Sequence, residues 1–399
     1  MDVLEVRKDF PILKDVVYLD SASTSLTPEP VLEAVLDYYH SYKANVGRGV
    51  YRMAQLADQR YRDAHHKTAQ FIGASRQKGM TIFTRNATES INIIARCLLW
   101  KKGDRIVTTL LEHHSNLLPW MRLREKGVEL TVIKPDKTGM IDLADFETAI
   151  SKGTRLVAIS QLSNALGSVL PVKEISKICR ERGAALLVDA AQSVPHMPVN
   201  VEDIDCDFLC FSGHKMLAPM GTGVLWVKKE GEIKPLLAGG GMVQDVGDDG
   251  YEIKKGYEGF EAGTPDISAG IGLGAAVDYL TRVGLGDIHH HEQRLTVKLL
   301  EGLQDIKGVE VFGPEPGSQN RGGVVSFTVE GLLPHEVALM LDQASSICVR
   351  SGHHCCIPLM KHLGLKYGTV RASLYLYNTE DEIEKLLSTL EQIARMALL

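Results

Sequence analysis

The stretch DFLCFSGHK, from Asp207 to Lys215, joins an apolar run to a polar turn that ends in a lysine. The run does not alternate between polar and apolar residues, which is typical of a strand buried on both faces of a largely parallel sheet. Lys215 would then lie at the carboxyl edge of that sheet, where α/β folds bind their ligands. A lysine at a strand end is usually a solvated charge, but a nucleophilic one can hold an aldehyde cofactor as a Schiff base.

The rest of residues 20–227 repeats this pattern of short apolar runs between helical segments. The runs RIVTTL, VELTVI, RLVAIS, AALLVD, DFLCF and GVLWV begin at Arg105, Val128, Arg155, Ala184, Asp207 and Gly223. Helical periodicity predicts helices at Pro28–Lys43, Gln55–Ile72, Thr88–Lys101, Leu117–Lys126, Leu143–Ser151 and Val172–Arg182. The alternation predicts an α/β domain built on one sheet.

The pattern changes after the Gly- and Asp-rich segment Gly239–Pro265, which predicts an exposed hairpin or loop. A helix is predicted at about Ile267–Val283, and the run HHH at 289–291 is interpreted as the solvated start of a long helix. Short strands such as VVSFTV, from Val324, and an amphipathic helix from Thr379 predict a smaller α+β unit beside the sheet domain. No Pro/Ser-rich linker separates the halves, so the boundary is placed near residue 280.

The composition is that of an ordinary soluble globular protein, with 44% hydrophobic and 24% charged residues among 399. The net charge of -6 and the lack of a long basic run argue against nucleic acid as the main partner. No apolar run approaches the ~20 residues of a membrane helix, and the N-terminus mixes charges into its apolar residues, unlike a secretory signal. Seven cysteines without C-x-x-C spacing favour a cytoplasmic protein with reduced thiols.

An acid ends the run AALLVD within VDAAQ, Val188 to Gln192. A carboxylate at the end of a buried strand is costly unless it has a partner. Asp189 could cap the segment that follows it. It could instead pair with the protonated pyridine nitrogen of pyridoxal phosphate (PLP), which that cofactor requires as an electron sink.

The polar run TRNATESIN, Thr84 to Asn92, opens a predicted helix. Thr88 fits a plain helix cap, and free N–H groups at a helix start also form a phosphate seat. Ser212 and His214 could supply further donors to the same phosphate.

A histidine and an arginine complete the candidates outside the cysteine-containing stretch. His113, in LEHHSN after the run RIVTTL, is either a turn residue or a ring that stacks on a flat cofactor. Zinc binding by His113 and His114 is disfavoured because adjacent side chains diverge and no third ligand follows nearby. Arg371, in the apolar segment VRASL, needs an anion, either an internal carboxylate or a substrate carboxylate held by two hydrogen bonds.

The stretch RSGHHCCIPLM, Arg350 to Met360, places two histidines beside two cysteines. A metal site lacks further ligands at suitable spacing, and a disulfide between adjacent cysteines would strain the backbone. A catalytic thiol is the remaining interpretation. A catalytic thiol requires other catalytic groups elsewhere in the chain, and Lys215 and Asp189 could supply them.

The motifs SGHK, VDAAQ, EHHSN, NATESIN, EAGTP and RSGHHC occur in the order found in the cysteine desulfurases of the class V aminotransferase family. The chain resembles the SufS-type (group II) branch of that family over nearly its whole length. The resemblance implies PLP-dependent transferase fold type I, an α/β fold with a mostly parallel seven-stranded sheet between helices plus a smaller α+β domain. Residues 18–280 would form the large PLP-binding domain. Residues 1–17 with 281–399 would form the small C-terminal domain that carries the catalytic cysteine loop.

The resemblance also implies a role for each motif residue. Lys215 would be the Schiff-base lysine of PLP, Asp189 would pair the pyridinium nitrogen, and Gln192 would hydrogen-bond the phenolic oxygen. His113 would stack on the ring and help to move protons, and Cys355 would take the sulfur. The phosphate would be held by Thr88, Ser212, His214 and, from the second subunit of a homodimer, Thr264. The substrate would be bound by Asn164, Arg350 and Arg371.

The sequence departs from this pattern in its N-terminal loop and its phosphate loop. Gly47 and Tyr51 flank the pair Arg48-Gly49 where relatives often carry histidines, so contacts from those histidines are not expected. Ala87 has no hydroxyl where relatives often show a threonine. Cys356 stands where relatives carry a small residue, and we expect it to be an inward-facing thiol or a secondary persulfide holder.

By this resemblance the chain would be a cytoplasmic, homodimeric transferase that converts L-cysteine to L-alanine and a persulfide on Cys355. A SufE- or SufU-type acceptor protein would collect the sulfur for iron–sulfur cluster assembly, without nucleic acid, membrane or metal. Selenocysteine lyase or a cysteine C–S lyase of the same fold, acting on L-selenocysteine or L-cysteine, is the alternative. A scaffold that kept the fold and lost catalysis is the third, against which the intact candidate residues argue.

Overall fold

The computed structural model describes residues 1–75, 79–318 and 320–398. Within them the helices are α1 (Val3–Arg7), α2 (Glu29–Ser41), α3 (Arg52–Phe71), α4 (Ala87–Cys97), α5 (Leu118–Arg122), α6 (Leu143–Ala149), α7 (Val172–Arg182), α8 (Val201–Ile204), α9 (Ile267–Val283), α10 (Leu285–Gln304), α11 (Pro334–Ser345), α12 (Ile357–His362) and α13 (Glu380–Ala397). The strands are β1 (Val17–Tyr18), β2 (Met80–Thr84), β3 (Arg105–Thr109), β4 (Glu129–Ile133), β5 (Thr154–Ser160), β6 (Ala185–Asp189), β7 (Phe208–Ser212), β8 (Gly223–Val227), β9 (Val243–Gly247), β10 (Gly250–Ile253), β11 (Val309–Phe312), β12 (Val324–Val329), β13 (Ile347–Cys348), β14 (Arg350–Gly352) and β15 (Thr369–Ser373).

A seven-stranded sheet with the order β2-β8-β7-β6-β5-β3-β4 forms the larger layer. Strands β3 to β7 pair in parallel, whereas β8 runs antiparallel to both of its neighbours. Helices cover both faces, and the side chains of β7 and β8 are buried throughout. The predicted mostly parallel, seven-stranded sheet is therefore confirmed.

A second, four-stranded antiparallel sheet has the order β11-β12-β15-β14. It packs against α10, α11 and α13 through a separate cluster of buried side chains, including Leu295, Phe327 and Leu390. Helix α13 begins with a capping box, in which the Thr379 hydroxyl accepts from the Glu382 N–H and the Glu382 carboxylate accepts from the Thr379 N–H. This is the α+β unit that the C-terminal pattern predicts.

The six predicted strands of the first sheet are all present, and the predicted helices Val172–Arg182 and Ile267–Val283 have those bounds. The helix predicted to run to Lys101 ends at Cys97. Strand β2 was not predicted. The segment Gly239–Pro265 contains the exposed hairpin β9–β10, as predicted.

One interpretation of the C-terminal half is wrong. The run HHH at 289–291 lies inside α10, and His291 is buried, with its Nε2 2.9 Å from the Asn378 carbonyl oxygen. Its position on the helix turns this ring toward the chain that precedes α13, whereas His290 is exposed. No helix among the described residues has both the length and the apolar character needed to cross a membrane.

Candidate active site

A cavity of about 200 Å³ lies at the carboxyl ends of β5, β6 and β7. Parallel strands bring residues that follow different strands to one edge of a sheet, and this edge is where α/β folds bind ligands. Nine of the predicted site residues line the cavity: Thr88, His113, Asn164, Asp189, Gln192, Ser212, His214, Lys215 and Arg350. The structure therefore brings most of the predicted site together.

The amine of Lys215 and the carboxyl of Asp189 face the same cavity from neighbouring strands. Burial lowers the pKa of Lys215 to about 8, although the charge of Asp189 opposes this shift. Burial raises the pKa of Asp189, while a hydrogen bond of 3.0 Å from the Ala191 N–H and the charge of Lys215 act in the opposite sense. A lysine with a lowered pKa has an appreciable neutral fraction near pH 8, and the neutral amine is the nucleophile and base.

His113 lies in the segment after β3, directly before the short helical turn of residues 114–116. Its Nδ1 accepts from the Ser115 N–H at 3.1 Å, so the ring proton of the neutral form is on Nε2. Burial, followed by the charge of Lys215, lowers the pKa of His113 to about 3. The imidazole is therefore neutral at physiological pH and can accept or pass on a proton.

The first turn of α4 closes one end of the cavity. Asn86 caps this helix by accepting from the Glu89 N–H at 3.0 Å, and the Ala87 N–H donates to Ser212 Oγ at 2.9 Å. The Thr88 and Ser115 hydroxyls are 2.7 Å apart. A helix start with hydroxyl groups beside it suits an anion.

Three buried side-chain atoms of the cavity lining have no hydrogen-bond partner among the described residues, and one of them is the hydroxyl oxygen of Ser160. Gln192 donates through Nε2 to the Ala22 carbonyl at 2.8 Å, and this leaves its buried Oε1 unpaired. The Nδ1 of His214 is also buried and unpaired. Because unpaired buried polar atoms are costly, they indicate that the cavity is built to hold a polar ligand.

Arg371, on β15, is completely buried. The sequence predicts that it pairs with either an internal carboxylate or a substrate carboxylate. Its Nη2 donates to Asp20 Oδ1 at 2.9 Å and to Ser23 Oγ at 2.8 Å, and its Nη1 donates to the Asn164 carbonyl at 2.9 Å. The internal ion pair is thus present. The buried Nε has no partner among the described residues, and Arg371 does not itself line the cavity.

Cys355 lies beside the cavity, in the turn between β14 and α12. This segment, residues 352–357, is called the cysteine-containing turn. The Sγ of Cys355 is 3.7 Å from Arg350 Nη2, and Arg350 Nη1 donates to Ser23 Oγ at 3.0 Å. His354 and Cys355 both have left-handed backbones, with φ of 51° and 57°. This conformation costs a non-glycine residue roughly 1–2 kcal/mol, so contacts from the surrounding structure must hold the turn.

Asn164 is one of the residues that hold this turn. Its Nδ2 donates to the His354 carbonyl at 2.8 Å, and its Oδ1 lies 3.4 Å from the thiol of Cys356. Since its own carbonyl accepts from Arg371, Asn164 connects the cysteine-containing turn to the buried arginine. Cys356 is fully buried, as predicted, and burial raises its pKa to about 12.

Thr264 is not part of this cavity. It is exposed and lines a larger cavity of about 440 Å³ over residues 261–266, which Lys215 does not line. Within one chain Thr264 therefore does not join the other predicted site residues.

Four residues of the site were missed by sequence reasoning or given no role. Asp20 and Ser23 follow the short strand β1, and an acid directly after an apolar pair was a weak signal for them. Ser115 belongs to the motif EHHSN, and its hydroxyl lies 2.7 Å from that of Thr88 and 2.9 Å from Nδ1 of His113. Glu112 is buried with a pKa raised to about 7 by burial, and it is held by the Thr109 hydroxyl at 2.7 Å and Asn116 Nδ2 at 2.6 Å.

No group of three or more His, Cys, Asp or Glu residues in the described part of the chain is arranged to hold a metal ion.

The chain is similar to known proteins in both sequence and fold. The sequence model of the family described as Aminotransferase class-V matches residues 17–386. A probable cysteine desulfurase of Methanothermobacter thermautotrophicus is 48% identical and covers 98% of both chains, and a cysteine desulfurase of Haloferax volcanii is 39% identical over 98% of this chain and 96% of its own. The structure of a cysteine desulfurase from Thermococcus onnurineus superposes with a TM-score of 0.95 at 46% identity and 98% coverage of both chains. The cysteine desulfurase CsdA from Escherichia coli gives 0.91 at 32% identity and 99% coverage of both.

Proposed function

The chain belongs to the aminotransferase class-V family, and from this premise we propose that it is a PLP-dependent cysteine desulfurase. The reaction is L-cysteine plus the Cys355 thiol giving L-alanine and a Cys355 persulfide. The observation that carries the proposal is the position of Cys355, which lies beside Arg350 at the edge of the cavity lined by Lys215 and Asp189. A cysteine in this position can reach a substrate that is held in the cavity.

The residues of the cavity fit PLP. The unpaired Oε1 of Gln192 and Nδ1 of His214, the buried carboxyl of Asp189 and the start of α4 match the polar groups of that cofactor. In the present conformation Gln192 offers an acceptor rather than a donor. When bound, PLP supplies an electron sink for the bonds at the substrate's Cα.

The residues of the chain then have distinct tasks. Lys215 would carry the cofactor and, as a neutral amine, would take the Cα proton of the substrate. Asp189 would keep the pyridine nitrogen protonated, and neutral His113 would move protons through its Nε2–H. Arg371 would bind the substrate carboxylate through its free Nε. The ion pair with Asp20 would hold the guanidinium in place for this contact.

On the side of the protein, the sulfur step would use the turn that carries Cys355 together with Arg350. The Cys355 thiolate attacks the sulfur of the substrate because only the thiolate is a good nucleophile. A sulfur–sulfur bond forms while the Cβ–sulfur bond of the substrate breaks, and the electron pair of that bond remains on the carbon, which is then protonated to give alanine. Arg350, 3.7 Å from the sulfur, would stabilise its negative charge.

The remaining proposals concern the assembly and the partners. A homodimer, in which Thr264 reaches the cofactor phosphate of the second subunit, is supported by the exposure of Thr264 away from the cavity of its own chain. A SufE- or SufU-type protein would accept the sulfur in the cytoplasm for iron–sulfur cluster assembly. We also propose the division into domains 18–280 and 1–17 with 281–399, since each contains one of the two larger sheets. Selenocysteine lyase or C–S lyase activity is not favoured, because the relatives are named as cysteine desulfurases.

Peptide mass spectrometry after exposure of the holoenzyme to L-cysteine tests the proposal. We expect the mass of one added sulfur atom on Cys355 and none on Cys356, together with an equal amount of alanine. Cys355→Ala should lose persulfide formation and most alanine production. Full alanine production by Cys355→Ala with a small thiol as acceptor would instead assign a lyase.

A further inference from the structure

His114 contacts both ends of the cysteine-containing turn. Its backbone N–H donates to the Cys355 carbonyl at 2.8 Å. Its ring Nε2 accepts from the Ile357 N–H at 3.2 Å. The residue belongs to the turn after β3, so that a single side chain and its own amide connect the first sheet to the segment that carries the reactive thiol.

The turn needs such support. His354 and Cys355 are two consecutive left-handed residues without the freedom of glycine. The ring of His354 lies 2.8 Å from the Thr369 hydroxyl and Asn164 bonds the His354 carbonyl, whereas the Cys355 carbonyl and the Ile357 N–H are bonded by His114. Cys356, the residue before α12, provides no side-chain cap for the helix. The His114 ring supplies the missing acceptor for the first N–H group of α12.

The contact also defines the protonation state of the ring. A backbone N–H can only donate, so Nε2 of His114 must carry a lone pair and the ring must be neutral. Protonation would place two N–H groups against each other and break the contact. Burial and the neighbouring His353 both lower the pKa of His114, which favours the neutral form.

We propose that His114 is a positioning residue for Cys355, whose neutral imidazole holds the cysteine-containing turn (residues 352–357) in the conformation that places the thiol beside Arg350. This inference rests on the proposed function only in naming Cys355 as the sulfur acceptor. His114 is half-buried and does not line the cavity. It therefore acts through Cys355 and not on the substrate.

A pH dependence follows from the state of the ring. The titratable groups that face His114 are His113 on its own turn, with ring centroids 6.3 Å apart, and His353 and Cys355 on the opposing turn. The contact is present above the pKa of His114 and is lost as the pH falls through it. Because that pKa lies below its ordinary value, the loss occurs on the acid side of neutrality.

The test compares His114→Ala, His114→Gln and a matched control, His362→Ala, in the holoenzyme. Gln can place an uncharged acceptor near the position of Nε2. His362 is another histidine whose ring bridges two segments, with Nε2 2.9 Å from the Pro135 carbonyl oxygen, at the opposite end of α12 from the turn. The single-turnover rate of persulfide formation on Cys355 and the exchange of the Cα proton of L-alanine are measured from acid to neutral pH. Hydrogen exchange of the peptide 351–360 is followed in parallel.

For His114→Ala we expect about a three- to tenfold slower persulfide formation, as for the loss of one neutral hydrogen bond, with unchanged Cα exchange and faster hydrogen exchange in 351–360. His114→Gln should restore the rate and remove the part of the decline at acid pH that Cα exchange does not share, since protonation of Lys215 slows both reactions. His362→Ala should match the wild type. Wild-type persulfide formation and hydrogen exchange in His114→Ala, or equal losses in Cα exchange and persulfide formation, would overturn the inference. If the wild type forms no persulfide, the proposed function fails, while hydrogen exchange still decides whether His114 holds the turn.

Discussion

At the scale of single residues, the neighbouring cysteines Cys355 and Cys356 differ in solvent exposure and in the side chains that they contact. Cys355 is partly exposed, has a left-handed backbone and lies beside Arg350. Cys356 is fully buried, and its pKa of about 12 keeps it a neutral thiol that faces Asn164. A thiol that is neither exposed nor ionised cannot exchange sulfur readily, so the two roles are separated by environment.

Cys356→Ala should therefore keep persulfide formation on Cys355. The change removes one buried sulfur atom and its contact with Asn164, and we expect it to lower the free energy of unfolding by about 1 kcal/mol. Denaturant unfolding and persulfide mapping measure the two effects. Cys179→Ala is the matched control, because Cys179 is equally buried but lies in α7. A loss of sulfur transfer in Cys356→Ala alone would show that Cys356 carries sulfur.

At the scale of elements, the start of α4 is set by its close approach to β8. A Cβ atom on Gly223 would lie 2.4–2.6 Å from the backbone atoms of Asn86, the residue that caps α4. These nearest atoms all belong to the backbone of Asn86, so no flexible side chain could move aside to make room for the Cβ. The absence of a side chain at Gly223 thus decides where the helix start faces the cavity.

Gly223→Ala should push Asn86 and the first turn of α4 away from the cavity. Since that turn is proposed to hold the cofactor phosphate, we expect the affinity for PLP to fall by roughly tenfold, about 1.4 kcal/mol. Equilibrium titration of the apoprotein with PLP measures this loss. Gly286→Ala, on an open surface of α10, should leave the affinity unchanged and slightly raise the stability. Equal affinities for both variants would contradict the role given to Gly223.

At the scale of the whole molecule, the site is assembled from segments that are far apart in sequence. Asp20 and Ser23 near the N-terminus, Asn164 after β5 and Arg371 on β15 meet through direct hydrogen bonds. Thr264 lies at a different cavity, whereas Cys355 and Arg371 contact residues that line the site. A second copy of the chain is the simplest way for Thr264 to reach a site.

Mixed dimers of Lys215→Ala and Thr264→Ala chains test this arrangement. If Thr264 serves the site of the other subunit, one site of each mixed dimer carries both changes and the other carries none. We expect mixing to restore activity above that of either variant alone at limiting PLP, measured as alanine production. If Thr264 serves its own chain, both sites of the mixed dimer stay defective and mixing restores nothing.

The sequence by itself determined the features that depend on neighbours along the chain. Apolar runs and helical periodicity predicted the strands β3 to β8, and the positions of Lys215 and Asp189 at strand ends followed from them. The spacing within RSGHHC, together with the family resemblance, singled out Cys355. The strand and helix predictions use residues within a few positions of one another, and the resemblance uses only the order of short motifs along the chain.

Only the tertiary structure decided the features that depend on distant segments. It added β2 to the sheet, buried His291, paired Asp20 with Arg371 and brought His114 against the turn of Cys355. Strand and helix periods describe which face of an element is apolar, but not which distant element covers that face. Contacts between residues more than two hundred positions apart depend on how the sheets pack, and local patterns carry no information about that packing.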